Sequence, residues 1–517
     1  MSSQDLSSLR IKLKKESMHK SEFKDLEIVD LFSSDDLISE AKNIEGEVFR
    51  EYENRVTKRI KHNDQNYFLK FHGPVGWKEI VKNLILLKPP ILGAKQEFLA
   101  LSRMHELGIN GPKVKYYHSK GLNPSSQSSF LITKELKDTI SLEDFFLEGK
   151  QKNLSFRQKS HLLNSIANIT RKLHQCGINH RDLYLCHYHL DNNTDFNKID
   201  LSLIDLHRAQ IRNEVPERWL VKDIGGLYHS AIQFGLTERD CYRFLMIYFN
   251  CSLRDLFCKH HNFLEKARSR AFSMYMKPLM AEIDISSKEP LSNQSLYKRV
   301  SNKDFRWIGI KNKVSEDLLK LIQDEDSLLS QGAVIKNEEG HLVVKINFSG
   351  RSLFVKKYRI KNFFHMVRKF FNKTRARNSW EALHWFNSVG VRTMQPVLIY
   401  EELGLSGVLN SVLVTEEIEG KRLDLAIQEK EESIKTASSI YNFFKRMNWI
   451  GFHHGDAKSS NFYISKDRLV VFDLDSSKRH SQRSLTKKIE KDKKRILRSL
   501  EDSAEITEAL KLRFKRK

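Results

Sequence analysis

One ordered series of charged and apolar features occurs twice along this chain of 517 residues, and an internal repeat of that length fixes the architecture before any local structure is considered. Residues 56–72, VTKRIKHNDQNYFLKFH, predict two strands around a His62-Asn63-Asp64 turn, the second carrying Lys70. Residues 341–358, HLVVKINFSGRSLFVKKY, predict a second hairpin that turns at Ser349-Gly350 and carries Lys356. After each hairpin comes a basic, aromatic insert and then a helix bearing an acid. The first is AKQEFLALSRMHELG with Glu97 and a Gly108 stop; the second is NSWEALHWFNSVG with Glu381 and a Gly390 stop. An extended segment follows in each half and ends in acid before a linker, LITKEL with Glu135 and VLVTEEIEG with Glu416 and Glu417. A longer amphipathic helix then closes at Gly177 or Gly451, and five residues beyond each glycine stands an aspartate, Asp182 or Asp456. A short apolar strand delivers a second aspartate, Asp205 in LSLIDLH and Asp473 in LVVFDLD. The lysine-to-glutamate separations are 27 and 25 (70 to 97, 356 to 381), and the aspartate separations 23 and 17 (182 to 205, 456 to 473).

Phosphoryl transfer needs this set of groups. It requires neutralising a triphosphate, holding a divalent metal and orienting a hydroxyl in line with the transferred phosphorus. A strand lysine reaches the phosphates when a helix acid fixes it, a role that suits Lys70–Glu97 and Lys356–Glu381. An aspartate at the end of a buried strand supplies hard oxygen for Mg²⁺, the role expected of Asp205 and Asp473. A loop aspartate beside the acceptor hydroxyl orients it and takes its proton, as expected of Asp182 and Asp456. ATP and Mg²⁺ are therefore the expected cofactors. Asp223 in KDIGGLYHSA reads either as a helix N-cap or as a brace for the catalytic loop. Cys186-His187-Tyr188-His189 has zinc-ligand residue types, but no second pair at matching spacing accompanies it.

The set resembles the protein-kinase-like fold, whose signatures are a strand lysine, a helix glutamate, HRDxxxxN and a metal aspartate. In the second half, His454-Gly455-Asp456-Ala457-Lys458-Ser459-Ser460-Asn461 fits that loop; the resemblance implies Asn461 as second metal ligand and Lys458 as a γ-phosphate contact. The first half departs from it, with Tyr184 in place of the lysine and His187 in place of the asparagine. Over about residues 40–250 the first half is similar to a narrower group, the bacterial lipopolysaccharide core heptose (I) kinases. The stretches that carry this are EGEVFREYENRVTKRI, YFLKFHGPVGWKEIVKNLILLKPPILGAKQEF, LHQCGINHRDLYLCHYHL and LSLIDLHRAQIR. That resemblance implies ATP-dependent phosphorylation of an inner-core heptose at the cytoplasmic face of the inner membrane, includes a histidine at position 187, and implies Glu135 as an ATP-binding acid. The second half resembles the lipopolysaccharide-kinase-like group only at superfamily level. Neither half has a full GxGxxG loop; Gly46 and Gly332 are lone phosphate-loop candidates that read more readily as turn glycines.

Charge points to the same class of partner. Lys plus Arg number 88 against 65 Asp plus Glu, a net +23 that suits a polyanion. The expected partners are the lipopolysaccharide inner core, a polyanionic glycolipid, and the inner-membrane surface; no nucleic-acid module is recognisable. Five cysteines without a CxxC pair argue for a reducing compartment. The first residues lack a signal-peptide apolar core, so a cytoplasmic, peripheral location is expected. Residues 76–92 and 356–377 combine basic and aromatic side chains as interfacial segments do, and core-packing helices with solvated basic faces would share that composition.

The expected architecture is α+β: two tandem protein-kinase-like domains, each with a small β-rich lobe and a helical lobe. The expected divisions are an N-terminal segment 1–25, domains 26–290 and 291–480, and a basic helical tail 481–517, with Pro290 in the linker. Heptose phosphorylation is assigned to the first domain, and another core sugar to the second. The residues leave two rivals open: a protein or small-molecule kinase, and a basic scaffold of inactive kinase folds that binds a polyanion.

Overall fold

The computed structural model describes residues 22–515 except 53, 86–92, 122, 360–372, 405–406, 427–429, 467 and 481. Most of the second expected interfacial insert, the end of the first, and the N-terminal 21 residues thus lie outside the described residues. The chain divides into two compact units, Met1–Ala271 and Phe272–Lys517, each mixed α+β.

The first unit is built on a six-stranded antiparallel sheet, ordered Glu22–Lys24, Val114–Lys120, Ser128–Lys134, Gln65–His72, Arg55–His62, Glu47–Tyr52. The hairpin turns at Asn63-Asp64, both at positive φ (47° and 56°), which suits the tight turns that join twisted strands. Alternation decides what each face carries. Tyr67, Leu69 and Phe71 bury themselves with Ile28, Phe32, Tyr116 and Phe130, while Lys70 points the other way. On that other side lies helix Lys95–Glu106, whose Phe98 ring stacks on Tyr117 with centroids 4.4 Å apart. Helices Phe156–Gln175, Glu217–Ile232 and Glu238–Phe249 form a second, helical layer around Leu173, Ile224 and Phe244.

The second unit repeats this plan. Five strands of its seven-stranded sheet, Pro396–Gly404, Gly407–Glu416, Arg351–Tyr358, His341–Phe348 and Ala333–Glu338, follow the order of the last five strands above. Corresponding residues keep register: Lys70 lies opposite Leu131 and Lys356 opposite Leu413. The remaining two strands, Tyr297–Ser301 and Phe305–Ile310, extend the sheet beside Pro396–Gly404. The helix after the hairpin runs Arg375–Ser388, and its Trp380 is fully buried.

The stretch read as a linker is mostly exposed from 286 to 294, whereas the expected basic tail is a packed part of this unit. Just before that linker, the Ile283 carbonyl accepts a hydrogen bond from Trp380 Nε1 (3.1 Å), and Asp284 pairs with Arg377 (2.5 Å). The basic run after residue 481 forms helices Gln482–Arg498 and Ala504–Lys515, which bury Leu485, Ile489, Ile496, Ile506 and Leu510. Among the described residues no helix is long and apolar enough to cross a membrane.

Gly46 and Gly332 are not turn glycines. Neither has a positive φ, and each precedes the outermost strand where it meets its neighbour. A Cβ on Gly46 would stand 2.5 Å from the Arg59 carbonyl oxygen, and one on Gly332 would be 2.8 Å from Ile346 Cγ2 and closer still to Val344. Close approach of two strands excludes a side chain at both. Gly46→Ala is expected to destabilise the first unit by about 1–3 kcal/mol, because backbone cannot swing aside as a side-chain tip can. A lowered urea midpoint for that unit's transition checks this.

Candidate active site

Lys70 is carried to its place by strand alternation, and helix Lys95–Glu106 brings Glu97 Oε1 to 2.5 Å from its Nζ. Glu97 is only 3% exposed, and a carboxylate so deeply buried is retained when it is paired. Burial pulls the lysine toward neutrality, but Glu97 and Asp205 outweigh it and hold the ammonium above its ordinary range. Glu135, just past strand Ser128–Lys134, has its carboxylate bound by Arg59 at 2.9 Å.

The loop that carries Asp182 is held from below. Asp223, fully buried in the middle of helix Glu217–Ile232, accepts the backbone N–H groups of His180 (2.7 Å) and Arg181 (2.8 Å). It is therefore a brace and not an N-cap. Aiming two successive amides at one carboxylate bends the backbone into a concave nest; Arg181 sits there at φ 75°, a left-handed conformation that costs a non-glycine residue about 1–2 kcal/mol. The next residue, Asp182, is gripped through both carboxylate oxygens by Arg208, at 3.0 and 2.8 Å.

His187 links the two aspartates. Its Nδ1 lies 2.7 Å from the Asp182 carbonyl oxygen, which only accepts, so Nδ1 carries the proton and Nε2 presents a lone pair. That lone pair lies 3.5 Å from Asp205 Oδ2. Two acceptors facing each other fit a cation between them. Asp205 itself adopts φ 61° and is hydrogen-bonded by His207 Nδ1 at 2.5 Å. Burial opposes its ionisation, yet the His207 hydrogen bond and the charge of Lys70 prevail and hold the carboxyl well below its usual range. Among the described residues no group of three or more His, Cys, Asp or Glu forms a complete metal cage. A pair of protein ligands completed by phosphate oxygens is how Mg²⁺ is commonly held.

The second unit reproduces the loop. Asp492 accepts from His454 N–H (2.8 Å) and Gly455 N–H (2.9 Å), and Gly455 has φ 87° where the first unit has Arg181. Asn461 Nδ2 donates to the Asp456 carbonyl at 2.8 Å, five residues back, as His187 does to that of Asp182. Asp473 adopts φ 54°. Asp456 lies 3.2 Å from Lys458 and 3.6 Å from Arg495.

The lysine pairing differs. Lys356 does not meet Glu381, which binds Lys373 (2.5 Å) and Arg377 (3.4 Å) instead. Lys356 contacts Asp473 at 2.5 Å and Asp475 at 3.6 Å. Counting back eleven residues from the helix-ending glycine gives Glu97 in one unit and Ser379 in the other. The helix acid is thus absent from the second unit, and its neighbour Asp475, 4% exposed and also bound by Arg375, supplies the buried negative charge.

Sequence reasoning missed Asp475, Arg208 and Asp492. Asp492 did carry a signal: it follows Asp473 by 19 residues as Asp223 follows Asp205 by 18.

Comparison with known proteins agrees with the repeat. The lipopolysaccharide kinase (Kdo/WaaP) family matches residues 39–248 and again 329–517. Over 243 residues in its first half, the chain is 43% identical to the lipopolysaccharide core heptose(I) kinase WaaP of Escherichia coli K12, covering 47% of this chain and 92% of that protein. WaaP of Pseudomonas aeruginosa is 38% identical over 247 residues, with the same coverage. A solved structure, WaaP in complex with acyl carrier protein, is 33% identical, covers 50% of this chain and all of its own, and superposes with a TM-score of 0.44.

Asp223→Ala and Asp492→Ala each strand two buried amides, so each is expected to cost about 2–4 kcal/mol. Amide hydrogen exchange should accelerate at 180–181 in the first variant and at 454–455 in the second.

Proposed function

Because the chain belongs to the lipopolysaccharide kinase (Kdo/WaaP) family, we propose that its first unit carries out the phosphorylation of inner-core heptose with the residues just described. The protein is a lipopolysaccharide core heptose kinase, a phosphotransferase acting on a sugar hydroxyl. The observation that carries the site assignment is the chain of contacts from Glu97 through Lys70 and Asp205 to His187 and Asp182.

In this reading each unit is a protein-kinase-like domain, the first ending at Ala271 and the second beginning at Phe272 with the tail helices completing it, and ATP is the phosphate donor. Lys70, fixed by Glu97, neutralises the phosphates; Glu135 and Arg59 order the segment that follows the central strand. Asp205 and His187 in the first unit, and Asp473 and Asn461 in the second, would hold Mg²⁺, which when bound neutralises charge on the phosphate oxygens. Asp182, oriented by Arg208, accepts the hydroxyl proton as the new O–P bond forms and the bond to the departing ADP breaks.

The second unit keeps Asp456, Lys458, Asn461 and Asp473, so we assign it transfer to another core sugar. Lys356 cannot serve a nucleotide while bound to Asp473, and Asp475 is the partner that remains when it turns to phosphate. A cytoplasmic, membrane-peripheral location fits helix Gly76–Ile85, where Trp77, Val81 and Ile85 are exposed at four-residue spacing beside Lys78 and Lys82.

Asp182→Asn is expected to lower kcat for heptose phosphorylation by roughly 100-fold or more while ATP affinity changes less than about two-fold. Asp456→Asn should leave that reaction intact. If Asp456→Asn abolished heptose transfer while Asp182→Asn preserved it, the division of labour would be reversed. Phosphorus analysis of lipopolysaccharide from cells carrying each variant reads both outcomes. Trp77→Ser with Ile85→Ser should weaken binding to anionic vesicles roughly ten-fold or more, since two large apolar side chains leave the interface; co-sedimentation measures it.

A further inference from the structure

Four cationic side chains of the first unit crowd one indole. Arg181, Arg212, Arg218 and Lys222 stand 5.4, 5.3, 5.4 and 5.5 Å from the centre of the Trp219 ring. An aromatic face attracts one such cation well, but four around a single ring repel each other. Among the described residues none of them forms an ion pair, because the nearby acids are committed elsewhere. Asp223 holds the loop amides, Asp182 is bound by Arg208, and Glu217 pairs with Lys266 at 2.6 Å. Arg212 is oriented by the amide oxygens of Asn179 and Gln210, neutral acceptors that bring no counter-charge. Burial, and after it the charges of Arg181 and Arg208, bring Lys222 down to about 8 even though Asp182 pulls the other way.

Two further observations point to a ligand. Arg181 Nε and Trp219 Nε1 are buried donors without an acceptor among the described residues. Arg181 also holds its left-handed backbone where the second unit uses Gly455. A large charged side chain kept at a position that favours glycine is retained for what the side chain contacts. Arg218 and Trp219 lie in the first turn of helix Glu217–Ile232, whose positive dipole end adds to the field. The cluster adjoins Asp182, the next residue after Arg181.

We propose that Arg181, Arg212, Arg218, Lys222 and Trp219 form a subsite for an acidic group of the acceptor glycolipid, a carboxylate or a phosphate, next to the hydroxyl that receives phosphate. This rests on the reading of the first unit as the heptose kinase. The second unit has glycine at 455 where the first has Arg181.

The test uses the full chain and three acceptors: deacylated core oligosaccharide, the same with its carboxylates converted to amides, and the same with its phosphates removed. Arg218→Gln and Lys222→Gln should each raise KM for the untreated acceptor roughly ten-fold with kcat within about two-fold. Arg181→Gly should raise KM likewise, with a melting temperature no lower than that of the wild-type protein, since glycine adopts the left-handed conformation without strain. On the acceptor lacking the recognised group, the wild-type protein should fall to the level of the variants, which lose nothing further. If amidation has this effect the group is a carboxylate; if dephosphorylation does, it is a phosphate. Equal losses on all three acceptors, or no loss on any, would overturn the subsite. Failure of the wild-type protein to phosphorylate any core oligosaccharide would instead overturn the heptose reading beneath it.

Discussion

A single buried carboxylate under the catalytic loop sets the geometry on which the rest depends. Asp223 and Asp492 each collect two consecutive backbone amides, and this forces the residue before the loop aspartate into a left-handed conformation. Asp182 and Asp456 then emerge from a fixed backbone. The same arrangement lets the side chain five residues later return to the loop carbonyl, as His187 and Asn461 do. Preorganisation of this kind fixes where a side chain points before any ligand arrives.

The two units share this frame and differ in where they place charge. The first concentrates positive charge around its loop through Arg181, Arg208 and the cluster on Trp219, whereas the second has Gly455 and a lysine and arginine paired with Asp456. The first anchors its strand lysine from a helix; the second anchors it from Asp473 and Asp475. These changes alter the acceptor's surroundings and the route by which the lysine is positioned, and leave the backbone plan untouched.

Much of this was legible in the sequence because the local chemistry is short-range. Hairpin turns, helix-ending glycines and aspartates at strand ends leave marks within a few residues. Glu381 misled because its spacing from Lys356 differs from that of the first unit by only two residues, and two residues turn a helix by about 200°. The acid therefore faces Lys373 and Arg377, and Ser379 takes the inward position. Asp492 was hidden by its neighbours: among Lys487, Lys488, Lys491, Lys493 and Lys494 it reads as one more solvated charge, and only the tertiary fold buries it to 2% exposure. The packing of the final two helices against the second unit was obscured in the same way.

Ser379 has a consequence for motion. Helix Lys95–Glu106 cannot draw back from its sheet without leaving Lys70 and a desolvated glutamate each alone, a penalty that ties the helix down. Helix Arg375–Ser388 carries an uncharged hydroxyl at that position, and Lys356 keeps its partners on another segment. The second unit's helix is thus unlatched from its sheet lysine and fastened at its first turn instead, through Arg375 to the buried Asp475 and through Arg377 to Asp284, so the two units pin the same helix at different points.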